Sequence, residues 1–255
     1  MKHWITPDWP APSNVRALIT TRTRLVNGGV SQPPFDSFNL GTHVGDDPNA
    51  VAENRRLLRE HLPAEPLWLS QVHGQHVVCA DKARLGSMPD ACVVEADASY
   101  SRQPNVVCAV MTADCLPVLL CDESGTVVAS AHAGWRGLAG GVIEATVLAM
   151  KVPPSNLMAY LGPAIGPQAF EVGAEVRKAF LAHSAEAGAA FIPKSDVEEK
   201  WLADIYLLAR QRLNALGVAR VFGGDACTYT DATQFYSFRR EKTTGRMASL
   251  IWLQS

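Results

Sequence analysis

Apolar positions along the chain fall into short dense runs rather than long ones. Residues 106–112 (VVCAVMT), 116–121 (LPVLLC) and 126–131 (TVVASA) are three such runs, with a Pro and a Glu-Ser-Gly turn between them. Their length and the turn signals that bound them predict buried strands. Shorter runs predict further strands at 15–21, 67–72, 77–80, 158–161, 220–223 and 248–253, the second and third being broken at Gly74. Apolar residues at i, i+3 and i+4 predict amphipathic helices over 172–183 and 201–216. Asp47-Pro48 opens another helix, reaching about His61, with Pro at its first position. A fourth helix is expected over 137–150. The segment 25–44 is rich in Gly, Pro, Ser and Asn and reads as a long loop, a common carrier of function. Strands and helices mix without a steady βαβ rhythm, so the expected fold class is α+β or irregular α/β. No repeat, low-complexity tract or linker interrupts the chain, which is read as a single domain over 1–255.

Composition narrows the function classes. The chain has 255 residues, 47% of them hydrophobic, enough for a sizeable core. Net charge is −2 and no basic block occurs, so no nucleic-acid partner is expected. No run of 18 apolar residues is present, so no membrane span is expected. The opening MKHWITPDWPAPSNV has no apolar stretch, so no secretory signal is expected either. Six cysteines occur without a CxxC pair, which argues against a disulfide framework and for a reducing, cytoplasmic setting. The phosphate loop GxxxxGK[ST], a GxGxxG after a strand, HExxH and GxSxG are all missing.

Three segments remain: QVHG around His73, TADCLP around Cys115 and AHAGWRG around His132. Each sets a metal-capable residue at the end of an expected strand beside Gly or Pro. Two imidazoles and a thiolate would give zinc three ligands and leave a fourth position open, the pattern of catalytic sites. The separations, 42 and 17 residues, carry little information by themselves. Read alone, each histidine is equally a hydrogen-bonded core residue and Cys115 a small buried hydrophobe. Asp114 is a candidate to orient a ligand histidine. His76, three residues after His73, falls on the opposite face of a strand and is not expected to join. GWRGLAGG, with Arg136, offers an anion site at a helix start or simply a tight turn. Arg239-Arg240 is a second basic spot or a solvated charge run. Glu171, Glu175 and Asp225 are unassigned candidate acids or bases.

The runs SQVHG, ADCLPVLL, AHAGWRGL, LGPAIGPQAFEVG and YSFRREKTTGRMASLIWL resemble the YfiH-type family, as do TTRTRLVNGGVS and FDSFNLGTHVGDDPNAVAENR. Its members have been called polyphenol oxidases with a laccase domain, purine nucleoside phosphorylases and peptidoglycan editing factors. The resemblance implies a layered mixed α/β sandwich like the cytotoxic necrotizing factor/YfiH-like cysteine hydrolase fold. It implies a zinc ion on His73, Cys115 and His132, and phosphorolysis of adenosine, inosine, guanosine and methylthioadenosine, with adenosine deamination beside it. Partners are then a purine nucleoside and phosphate, the protein being a monomer or small homo-oligomer. Arg136, Arg239 and Arg240 are the expected phosphate binders, with Cys115, His132, Arg136 and Arg239 as catalytic groups. Where the family often has Ser-His-Arg-Arg or Ser-Tyr-Arg-Arg, this chain has Ser237-Phe238-Arg239-Arg240, so Phe238 is left outside the site. Alternatives are an amidase using Cys115 and His132, editing a wall precursor, and a copper-dependent polyphenol oxidase. Seven histidines and no HxH pair suit a multicopper centre poorly, though such a site can take copper adventitiously. A binding module without catalysis is the remaining reading.

Overall fold

All seven residues of the strand Leu116–Asp122 are buried. Side chains alternate across a strand, and here Leu116, Val118 and Leu120 enter one apolar cluster while Leu119 and Cys121 enter another. A strand covered on both faces needs no polar alternation, which is why such runs read as continuously apolar. In the computed structural model, which describes residues 4–23, 28–84, 94–194 and 199–255, this strand lies inside a six-stranded sheet. Residues 25–27 of the expected long loop, and Cys92, lie outside the described residues. The strand order is Arg220–Gly223, Leu157–Leu161, Leu116–Asp122, Val128–Ala133, Ala98–Ser101, Val77–Cys79. The inner pairings are antiparallel and the two outermost are parallel.

Helices Val142–Met150 and Ile205–Leu216 cover one face, with Ile143, Met150, Leu208 and Leu213 packed on the sheet. The other face meets a three-stranded antiparallel sheet ordered Val15–Ile19, Met247–Leu253, Cys108–Thr112. Ile19, Cys108 and Ile251 fill the space between the sheets with Leu119 and Cys121. The far side of the small sheet carries Met111, Leu250 and Trp252 against Leu57 and Leu58 of the helix Pro48–Arg59. That helix starts as expected, with the Asp47 side chain accepting from Asn49 N–H and Pro48 in its first turn. The result is a layered, mixed α/β architecture with several sheets. No described helix is long and apolar enough to cross a membrane.

Several expected elements are divided. The 137–150 helix is two, Trp135–Gly140 and Val142–Met150, separated by Gly141 at φ 103°. The 172–183 segment begins as the strand Glu171–Gly173 before the helix Ala174–Leu181. The 201–216 segment begins as Lys200–Ala203, which pairs with both Glu171–Gly173 and Phe191–Pro193. Asp204 then caps the helix Ile205–Leu216 by accepting from Leu207 N–H. Local periodicity cannot register a pairing partner thirty residues away, so these short strands read as first turns of helix. Of the expected 67–72 strand, Leu69–Ser70 pairs with Val94–Glu95 and Leu67 forms an isolated parallel bridge with Cys108. Ala98–Ser101, too polar to be foreseen, is a nearly buried strand within the large sheet.

Candidate metal centre

His132 stands near the end of the strand Val128–Ala133, directly across from Pro117, and is 3% exposed. Cys115 lies just before the neighbouring strand, partly buried. His73 is on an exposed loop between Leu69–Ser70 and Val77–Cys79, with φ 61°. The ligand atoms of the three all lie within 4.8 Å of one another. Cys115 Sγ is 3.7 Å from His73 Nε2, and the two imidazole rings meet edge to face at 4.7 Å.

One carboxylate organises this cluster, and it is not Asp114. Asp97 Oδ1 accepts from His132 Nδ1 at 2.8 Å and from His73 N–H at 2.9 Å. Its Oδ2 accepts from Gly74 N–H at 2.6 Å and Val72 N–H at 3.2 Å. With Nδ1–H committed to Asp97, the Nε2 lone pair of His132 is free to face a metal, an arrangement common behind ligand histidines. Burial raises the Asp97 carboxyl, but the His132, Gly74 and Val72 donors outweigh it and hold it below the usual range. The sequence signal for Asp97 is only an acid set among small residues in the run EADAS, which does not by itself point to a metal site. Asp114, at φ 97°, instead accepts from Thr228 Oγ1–H and from Arg239 N–H, each at 2.6 Å.

Electrostatics couple the buried pair. Burial pushes the Cys115 thiol up, but His132 and His73 outweigh it and bring it down to about 6. Burial pushes His132 down, yet the Cys115 thiolate and Asp97 raise it to about 9. At neutral pH the metal-free pair is therefore thiolate and imidazolium. Gly134 provides the space: a Cβ there would lie 2.9 Å from both Cys115 Sγ and His73 Cδ2. Two nitrogens and a sulfur graded from exposed to buried, with a carboxylate behind one of them, fit a divalent metal held at an open site.

Above His73 and Cys115 is a cavity of about 400 Å³. Arg136, Arg239 and Lys242 supply its cationic wall, and Trp135, Phe170 and Phe238 its aromatic one. Arg239 donates through Nη1 to Glu171 O at 2.8 Å and sits over the Phe170 ring; Arg136 sits over Trp135. Phe238, expected outside the site, is 50% exposed and forms part of the cavity wall. Arg240 points elsewhere: its guanidinium donates to the carbonyls of Thr228, Tyr229 and Phe235 and pairs with Glu241. The candidate acids are also elsewhere. Glu171 pairs with Lys194, Glu175 is not in the cavity wall, and Asp225 lines a separate hollow near Cys227. His76 bonds the Glu95 carbonyl and stays out of the cluster, as expected. The GWRGLAGG segment with Arg136 forms the six-residue helix Trp135–Gly140.

Fold and site together define a layered α/β protein with a His-Cys-His cluster, able to hold a metal, at the floor of a cationic and aromatic cavity. A family model described as multi-copper polyphenol oxidoreductase laccase matches residues 16–254. A protein of Pseudomonas aeruginosa named purine nucleoside phosphorylase is 59% identical over 254 residues, covering 100% of each chain. Purine nucleoside phosphorylase YfiH of Escherichia coli is 57% identical, covering 99% of this chain and 100% of its own. Among solved structures, a Neisseria meningitidis protein of the DUF152 family superposes with a TM-score of 0.91 at 53% identity over 100% of both chains. YlmD from Geobacillus stearothermophilus does so with 0.89 at 30% identity, over 100% of this chain and 97% of its own. The chain belongs to the YfiH-type family.

Proposed function

We propose that the protein is a zinc-dependent purine nucleoside phosphorylase, one domain acting in the cytoplasm, that converts adenosine, inosine, guanosine or methylthioadenosine and phosphate to base and ribose 1-phosphate. The observation that carries this is the junction of the His73–Cys115–His132 cluster with a cavity whose wall interleaves cationic and aromatic side chains. The names of the relatives point the same way. His73, Cys115 and His132 hold the zinc, which supplies a Lewis acid able to polarise an oxygen or acidify a water. Arg136 and Arg239 hold phosphate as its oxygen approaches the ribose C1′ and the bond to the base loosens. Asp114 positions Arg239 through the backbone bond at 2.6 Å. Phe238, Phe170 and Trp135 offer faces to a purine, and each stacked base is worth about 1–3 kcal/mol. Adenosine deamination is a companion activity at the same centre.

The test is incubation of metal-analysed protein with adenosine, with and without phosphate, resolving products by liquid chromatography. Phosphate-dependent adenine that disappears in His73→Ala is the expected result. Inosine formed without phosphate marks the deaminase activity. A zinc-loaded sample yielding neither product would overturn the reading.

One further observation favours a second reading. Asp97, His132 and Cys115 lie in the order of a cysteine-hydrolase triad, and the thiol is already low at about 6. On that reading the protein is an amidase for a wall precursor. Rapid alkylation of Cys115 without chelator would support it; protection until chelation supports the metal. A copper-dependent polyphenol oxidase has support in the family description alone.

A further inference from the structure

Besides the Arg136–Arg239 cavity, two more hollows open near the cluster, and the first of them shares His73, Ala113, Cys115 and Phe238 with that cavity. The first, of about 280 Å³, has Cys115 and His132 in its wall together with His43, Phe238 and Arg246. The second, of about 390 Å³, shares His43, Gln71 and Met111 with the first and is bounded by Arg55 and Trp68. They form one passage running from Phe238, past the metal ligands, to Trp68. No acidic side chain lines either hollow.

The passage nevertheless holds two partly buried guanidinium groups. Arg246 donates through Nη1 to the carbonyls of Thr244 and Gly245, at 2.9 and 3.0 Å. Arg55 donates through Nε to Leu40 O at 3.0 Å, touches Met111 Sδ and stacks over Trp68 at 4.1 Å. Elsewhere Arg22, Arg212 and Arg240, which are also largely buried, each contact a carboxylate. Arg55 and Arg246 make no such pair among the described residues. The anionic groups whose fields reach them are Glu65 for Arg55, and Cys115 and Asp114 for Arg246. Burial, and then the charges of Arg246 and Arg55, push the His43 imidazole below its ordinary range. Unpaired charge in a desolvated place is costly until an anion supplies the missing partner, and a guanidinium presents a donor fork suited to phosphate and carboxylate oxygens.

We propose that this passage is a second anion subsite, in which Arg246, Arg55 and His43 hold a phosphate or carboxylate group of an elongated substrate whose reacting centre lies at the His73–Cys115–His132 cluster. Arg246, Arg55 and His43 are absent from the wall of the Arg136–Arg239 cavity, so the two anion positions rest on different side chains. The subsite stands independently of the phosphorylase reading; combined with it, nucleosides bearing an anionic substituent become candidate substrates.

The experiment is calorimetric titration of the metal-loaded protein with inorganic phosphate. The wild type is expected to take up two phosphates per chain. Arg246→Met weakens one of them at least about tenfold, the loss of a charge-assisted hydrogen bond, and Arg136→Met weakens the other. Succinate is the carboxylate probe. Displacement of the Arg246-dependent phosphate by succinate marks a subsite for both anions, and resistance marks one selective for phosphate; either supports the proposal. A single phosphate per chain that persists in Arg246→Met overturns it. Should Arg246→Met not fold, wild-type crystals grown with phosphate decide: the anion must lie on Arg246 and His43, and its absence there overturns the proposal. Phosphate bound at Arg246 without adenine formation from adenosine would defeat the phosphorylase reading alone.

Discussion

Asp97 accepts hydrogen bonds from His132 Nδ1 and from the His73 backbone through the same oxygen, at 2.8 and 2.9 Å. The carboxylate thus sets the tautomer of one ligand and the loop position of the other. Asp97→Asn retains a carbonyl oxygen but removes the negative charge and adds an amide donor that competes for the same position. Metal affinity is expected to fall about 10- to 100-fold, as read by competition with a chromophoric chelator. Unchanged affinity would show that the loop and His132 are held without it.

Metal binding should release protons in a pH-dependent number. A metal needs Cys115 as thiolate and His132 neutral. Between about 6 and about 9 the thiol has already lost its proton while His132 retains one, so this pair releases about one proton per metal. Below about 6 both protons must leave, and above about 9 neither remains. Apparent affinity therefore rises with pH until about 9 and then levels. Calorimetry in buffers of different ionisation enthalpy measures the count, and release that does not vary with pH would contradict the pairing.

Gly134→Ala should cost the metal without costing the fold. The new methyl carbon would lie 2.9 Å from Cys115 Sγ and from His73 Cδ2, so one ligand must move. Gly140→Ala is the control, since nothing lies within 4 Å of its Cβ. The expected result is metal-poor Gly134→Ala, metal-replete Gly140→Ala and matching circular dichroism for both.

The two adjacent arginines should separate by role. Arg239→Ala, in the cavity wall, is expected to lower kcat/KM for phosphorolysis about 10²- to 10³-fold with little change in melting temperature. Arg240→Ala should leave the KM for phosphate near wild type. It loses bonds to three backbone carbonyls and to Glu241, and stability should fall by about 1–3 kcal/mol, measured by urea unfolding. Equal kinetic defects in both variants would contradict this division.

The amino-acid sequence by itself determined the buried strands at 108–112, 116–122 and 128–133, because segments covered on both faces are apolar without interruption. It also determined the start of the helix Pro48–Arg59, whose cap is a local bond, and family membership through ordered motifs. The types of the three candidate ligands were legible, and the family resemblance implied that they converge; their spacing alone did not. His73, Cys115 and His132 meet because sheet register brings Val128–Ala133 beside Leu116–Asp122, while Asp97, just before the strand Ala98–Ser101, pins the loop that carries His73. The choice of Asp97 over Asp114, the turning of Arg240 away from Arg239, and the passage between Arg246 and Arg55 were likewise decided in the tertiary structure. Hydrogen-bond partners across a sheet and the walls of a cavity come from segments far apart in the chain. Local periodicity and composition carry no record of which of them will be neighbours.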